Sequence, residues 1–397
     1  HAREELSGFL TGNAGSPQET EARNQLARSL LDAGKPTEAL AALEPTLSAP
    51  ASREGRDQAL YLAAWCHGSI AASKEGPAAA SARDEMESAY RKLIGEHPSS
   101  SLAVDAMLEL GQTLFNRKAY AESQKWLLQV RESLEAQTVP LEPAAQTRSK
   151  ELLERALFGL AFIAFEKEEF AEAASLFDRV AENAASPLAP RSAFQAGRAY
   201  MKLSDWAHAV ERFQRVADEF QARLAAENGD RFHEEGLLRL GESQHQLRKY
   251  SEALAAFDRQ LKEHPEGELR HEARFGRGFA LQMSGDFDGA VDAYRAVVAG
   301  TRQPVAARAQ YHVGECRVEQ KRHRDAAREF NTTVANFDFD GEYREWVRRS
   351  LLAAGIAFQT AGDTKAASTQ FRELTERFPD TDEGKAAGER LRTLGTQ

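Results

Sequence analysis

The chain has 397 residues and a formal net charge of −10. That is more chain than one compact core normally holds, and the acidic balance disfavours nucleic acid and anionic membrane surfaces as partners. Ala, Leu, Glu, Arg and Gln dominate, Pro is sparse, and no run of about 18 apolar residues exists to span a bilayer, so the composition reads as helical without a direct membrane span.

The sequence begins at His1 rather than Met, which implies a processed or trimmed form whose signal peptide or lipid anchor would lie in the missing part. Two cysteines, Cys66 and Cys316, are too few and too far apart for a disulfide framework or a metal cluster. Each follows a small residue by two positions (Ala64, Gly314), which predicts buried structural thiols.

Taken in order, the chain repeats a helix-turn-helix unit. The small residue of each first helix falls at Ala27, Ala64, Gly111, Ala161, Gly197, Gly241, Gly278, Gly314 and Gly355, with the best steps at roughly 36 to 37 residues. In the second helices Ala39, Ala173, Ala209, Ala253, Ala290, Ala326 and Ala367 are followed four residues later by Leu43, Phe177, Phe213, Phe257, Tyr294, Phe330 and Phe371. That spacing places each pair on one helical face, against the core. Ser204-Asp205, Gly285-Asp286 and Gly362-Asp363 supply a helix stop and an Asp to cap the next helix. Pro98, Pro265 and Pro379 follow second helices.

The units are stretched by longer helices or linkers around Glu75–Glu85, Gln137–Lys150 and Glu219–Glu235. Pro140 and Pro143 bracket a non-repeating linker. A soft boundary near Ala145 separates divergent repeats (1–145) from a regular array (146–397). Thr381–Leu394 reads as a terminal amphipathic helix capped by Thr381 or Asp382 and followed by Gly395. It would cover the last apolar face, as a solenoid requires.

From about Gln25 to Leu394 these residues resemble tetratricopeptide repeats, most closely in Leu160–Asp178, Ala196–Val216, Leu240–Phe257, Arg277–Val297 and Ala354–Pro379. The resemblance implies an all-α, right-handed α-solenoid of about nine repeats with a C-terminal capping helix, its first helices lining a concave groove. The run from Ala361-Gly362-Asp363 through Phe378-Pro379-Asp380 to Gly384-Lys385-Ala386-Ala387 is similar to the C-terminal end of bacterial cell-envelope repeat proteins. These include the Tol-Pal-associated cell-division coordinator and, more loosely, the lipoprotein subunit of the β-barrel assembly machinery. A periplasmic or envelope setting follows from that likeness, with the cytoplasm as the alternative. The coordinator's trimeric coiled-coil segment is not present, and Arg274 and Gln310 stand where the repeat family places a large apolar residue.

The candidate binding row lies beside the small residues of the first helices. Three residues before them stand Phe158, Phe194, Leu238, Phe275, Tyr311 and Leu352; one residue after stand Phe162, Arg198, Glu242, Phe279, Glu315 and Ile356. The two sets are four apart and share a face. They offer apolar contacts and polar specificity to a peptide or helix, or they seal neighbouring first helices together.

Arg155, Arg191, Arg308 and Arg349 recur near first-helix starts as a stripe that could bind carboxylates; Glu235 and Glu272 interrupt it at matching places, which favours solvated ion pairs. The residues of a chaperone-type carboxylate clamp do not stand on this row. Asn336 to Gly341 imitates the first half of a calcium loop, but Val347 replaces the closing Glu, so a capped turn is expected. His271-Glu272 lacks the second His of a zinc helix, and His233 and His245 have no third ligand in register. Gly276-Arg277-Gly278 has no preceding strand and is no nucleotide loop. No catalytic residue, cofactor or metal site is predicted. The expected function is a protein-interaction scaffold. The alternatives are a self-assembling, homo-oligomeric solenoid, or a regulatory arm of a larger enzyme.

Overall fold

The computed structural model describes residues 2–13, 16, 18–136, 142–226 and 230–394. Among them are twenty-one helices and no strand. The chain divides into two compact units, residues 1–192 and 193–397.

The first unit opens with α1 (Ala2–Gly12) and continues as antiparallel pairs: α2 (Glu19–Asp32) with α3 (Pro36–Leu47), α4 (Arg56–Ala72) with α5 (Gly76–Glu96), α6 (Ala103–Asn116) with α7 (Tyr120–Glu135), and α8 (Pro143–Glu166) with α9 (Phe170–Ala181). The division falls within α10 (Ala189–Lys202). The second unit pairs α10 with α11 (Trp206–Asp218), α13 (Asp230–Gln246) with α14 (Tyr250–Glu263), α15 (Arg270–Ser284) with α16 (Phe287–Gly300), α17 (Pro304–Glu319) with α18 (His323–Phe337), and α19 (Tyr343–Thr360) with α20 (Thr364–Arg377). A short α12 (Gln221–Ala226) stands before α13, and α21 (Asp382–Leu394) closes the array. Each unit is thus a stack of helix hairpins, the construction of an α-solenoid.

One contact recurs in the pairs. The side chain sixteen residues beyond the small residue of the first helix lies flat against it. A Cβ added at Gly197, Gly241, Gly278, Gly314 or Gly355 would fall 2.4 to 2.8 Å from Phe213, Phe257, Tyr294, Phe330 or Phe371. All five rings are at most 1% exposed. Gly111 receives Leu127 in the same way, at 2.8 Å. The small residue gives up helix propensity so that the backbone can approach a ring whose burial contributes about 1.5–3 kcal/mol.

The turns are equally regular. Seven residues after the small one, Gly34, Lys118, Glu168, Ser204, Arg248, Gly285, Lys321 and Gly362 all adopt a left-handed backbone, φ 57° to 90°. The predicted caps form: Asp205, Asp286 and Asp363 accept hydrogen bonds from the backbone N–H of His208, Gly289 and Ala366 at 3.3, 3.0 and 3.0 Å. Each satisfies a donor that the helix itself cannot.

The stretched segments hold helix wherever they are described. Pro143 opens the 24-residue helix α8, where a missing N–H costs nothing, so 143–150 is helical and Ala145 lies in the first turn. Residues 137–141, including Pro140, lie outside the described residues, as does Gly395. The extra length after Glu75 is a longer α5, and that after Glu219 holds α12. At the end, Thr381 Oγ1 accepts from Gly384 N–H at 3.1 Å and starts α21. That helix buries Ala387 and Leu394 against Val347, Leu351, Phe371 and Leu374.

Candidate functional site

The first-helix row is split by its surroundings. In the first unit Phe158 and Phe162 are half-buried and meet edge-on at 4.9 Å, and both pack against Phe177, at 5.8 and 5.1 Å. In the second unit Phe194 is 2% exposed between Phe213 and Phe232, with Arg198 beside Gln195 at 3.0 Å. These rings hold helices together.

Leu238, Glu242, Phe275 and Phe279 are brought to one place. They line a cavity of about 260 Å³ in the second unit, together with Met201, Trp206, His245, Glu272 and Arg308. The walls come mainly from the first helices α10, α13, α15 and α17. Phe279 stacks on His245 at 4.6 Å and lies 6.2 Å from Phe275. The Arg308 guanidinium sits 4.1 Å over the Phe275 ring, close enough for a cation–π contact.

Tyr311 and Glu315 lie next along the row, outside the cavity lining. Tyr311 packs on Phe330 and Trp346, at 5.3 and 5.6 Å. Burial opposes ionisation of Glu315, yet its hydrogen bonds hold the carboxyl below the usual range. His312 Nδ1 lies 2.8 Å from Oε2, and Gln282 donates at 3.4 Å. Leu352 and Ile356 pack in the terminal core beside Phe371.

The charged positions six residues before the small residue do not behave alike. Arg155 meets Glu109 at 2.8 Å, Arg349 meets Glu345 at 2.8 Å and Glu235 meets Arg239 at 3.2 Å, as expected of surface pairs. Arg308 and Glu272 do not: one lies on a ring, and the other makes no ion pair among the described residues. Met201, Trp206 and His245 also escaped the sequence reading. Met201 and His245 each stand four residues after the small residue, one turn beyond the row considered, and that position was the available signal.

Cys66 and Cys316 are fully buried, and burial pushes their thiols up to about 11 and about 12. Among the described residues, His233, Glu263 and His264 form a group that could hold a metal ion, with one ligand atom from each within 4.8 Å of the others. His264 is the neighbour of His233 that sequence spacing did not reveal: its Nε2 lies 2.8 Å from His233 Nδ1, while His233 Nε2 faces the Ala217 carbonyl at 3.2 Å. Glu263 is already engaged by Arg259 at 2.9 Å and Gln221 at 3.1 Å. Burial holds His233 below its ordinary pKa. The cluster ties α11, α13 and the end of α14 together. In the calcium-like stretch, Asp338 pairs with Arg377 and Asp340 with Arg344, both at 2.6 Å, and Val347 is fully buried: a paired turn.

Residues 194–268, 238–301 and 276–340 match a tetratricopeptide-repeat family model, and 349–381 match a second one. The second unit is built of tetratricopeptide repeats. The matches take in all or part of each helix from α10 to α20, including every helix that lines the cavity. No curated protein matches the chain in sequence.

Among solved structures, the C-terminal part of a tetratricopeptide-repeat protein from Cytophaga hutchinsonii is similar in fold, with 12% identity, 70% of this chain and 98% of that chain covered, and a TM-score of 0.51. A tetratricopeptide-repeat protein from Parabacteroides merdae aligns with 13% identity, 73% and 98% coverage and a TM-score of 0.44. The type IV pilus biogenesis factor PilW aligns with 16% identity, 59% and 97% coverage and a TM-score of 0.43. Tetratricopeptide repeats generally mediate protein–protein interaction. Among the described residues no helix is long and apolar enough to cross a membrane.

Proposed function

We propose that this protein is a non-enzymatic interaction scaffold that holds a segment of a partner protein on the first-helix face of its second unit, in the cavity bounded by Leu238, Glu242, Phe275 and Phe279. One observation carries the reading. The constant contacts of the repeat are consumed by packing, whereas the variable positions beside Gly241 and Gly278 converge on a recess with ring walls and polar groups. A few fixed polar groups in an apolar recess are what a specific binding site needs. Phe279 is half-buried there, while Phe275 is 6% exposed and also packs on Tyr294.

The likeness of Ala361–Ala387 to envelope repeat proteins supports a setting in a bacterial cell-envelope complex, which fractionation of the source cells would test. For the binding claim, Phe279→Ala should abolish or strongly reduce recovery of the partner by the immobilised chain while far-ultraviolet circular dichroism stays unchanged. Equal recovery by parent and variant would overturn the assignment of the site.

A further inference from the structure

The cavity wall holds a carboxylate with no cation paired to it. Glu272, in the first turn of α15, lines the cavity and is half-buried, and its Oε2 is buried with no hydrogen-bond or ion-pair partner among the described residues. Carboxylates in comparable places are balanced: Glu235 and Glu242 share Arg239, and Glu345 has Arg349. The cation that shares the cavity, Arg308, lies against the Phe275 face instead. A carboxylate oxygen removed from water needs a donor, and its field strengthens as water is excluded.

Three kinds of occupant can be compared. An apolar side chain would seal Glu272 in without compensation. An acidic one would meet two carboxylates, Glu272 and Glu242, in a chain that is acidic overall. A basic side chain satisfies both parts of the wall, because its alkyl stem tolerates aromatic contact while its head supplies hydrogen bonds and charge. We infer that the cavity receives a lysine or arginine side chain from the bound partner segment, its stem against Phe279 and Trp206 and its cation on Glu272. The inference rests on the scaffold reading and names the chemistry that reading leaves open. Specificity follows from rejection as much as attraction, since any other side chain covers the Glu272 carboxylate without supplying it a donor.

The test uses the full chain and a phage-displayed library of random peptides about twelve residues long, long enough to span neighbouring first helices. The peptides enriched on the parent should share one Lys or Arg at a fixed register. They should lose about tenfold or more in affinity for Glu272→Gln, which keeps the side-chain shape, and much less for Glu272→Asp, which keeps the charge. Exchanging the charges, with Glu272→Lys on the chain and Glu in place of the peptide's basic residue, should restore binding. A role confined to holding the fold would not produce that rescue. Peptides that bind Glu272→Gln as they bind the parent but fail on Phe279→Ala overturn the inference and leave the groove standing. Peptides indifferent to both changes, or a library in which none enriches, overturn both.

Discussion

The left-handed turns invite a stability test that needs no partner. Lys118, Glu168, Arg248 and Lys321 hold φ values of 59° to 62°, and all four side chains are exposed. In each, the residue's own N–H and that of its successor close the preceding helix. For Arg248 these bonds reach the carbonyls of His245 and Gln244, at 2.8 and 2.9 Å. Gly285 makes the same two bonds, to Gln282 and Leu281 at 3.1 and 3.0 Å, with the residue type the conformation prefers.

A residue with a Cβ loses about 1–2 kcal/mol in this region, and glycine loses about 0.5–1 kcal/mol in chain entropy, so Arg248→Gly should stabilise by about 0.5–1 kcal/mol. Lys321→Gly should do the same, and the double variant should show roughly the sum, because the turns belong to separate repeats. Gly285→Ala is the mirror experiment and should cost about 1 kcal/mol or more. Urea unfolding followed by circular dichroism reads all four proteins, with the midpoint rising for the glycine variants at constant slope. A midpoint that falls for Arg248→Gly and holds for Gly285→Ala would refute the reasoning that the turn backbone is set by the hairpin and merely tolerated by the side chain.

Further outcomes are expected. Gly355→Ala places a Cβ 2.4 Å from Phe371, a ring with nowhere to move, and should cost about 1–3 kcal/mol by overpacking; a neutral result in urea unfolding would show that α19 and α20 can separate. Burial holds the imidazoles of His233, His245 and His271 below their ordinary 6.5, so the unfolded chain binds more protons in the window beneath that value. Stability should therefore be full above pH 6.5 and fall on acidification towards the carboxylate range, and His233→Gln should flatten the fall; a midpoint that rises as pH drops contradicts this. Cys66 and Cys316 should resist alkylation by iodoacetamide at neutral pH until denaturant is added, since both are buried and their thiols are pushed up to about 11 and about 12; modification of the native chain in mass spectrometry would refute the burial.

The hairpins were legible because their determinants are local. A glycine, a left-handed turn seven residues on and a ring sixteen residues on all lie within one unit, and the periodicities of helix and repeat place them on facing surfaces before any long-range contact forms. The caps at Asp205, Asp286 and Asp363 were legible for the same reason. For the 143–150 segment the choice between longer helix and linker stayed open, because Pro at a helix start and Pro in a linker read alike in sequence.

The site was legible only as a row of positions. Phe194 and Phe275 hold matched places within that row, yet one is sealed between Phe213 and Phe232 while the other lines a recess. That difference depends on how α10, α13, α15 and α17 stand relative to one another. Glu235 and Glu272 likewise share a repeat position, and only the neighbours supplied by the tertiary structure, Arg239 in one case and no cation in the other, separate a surface ion pair from an unsatisfied charge. The sequence by itself determined the repeating hairpins, whose contacts are short in chain distance. Which variable side chains are packed and which are presented to a partner was decided by the stacking of one hairpin on the next.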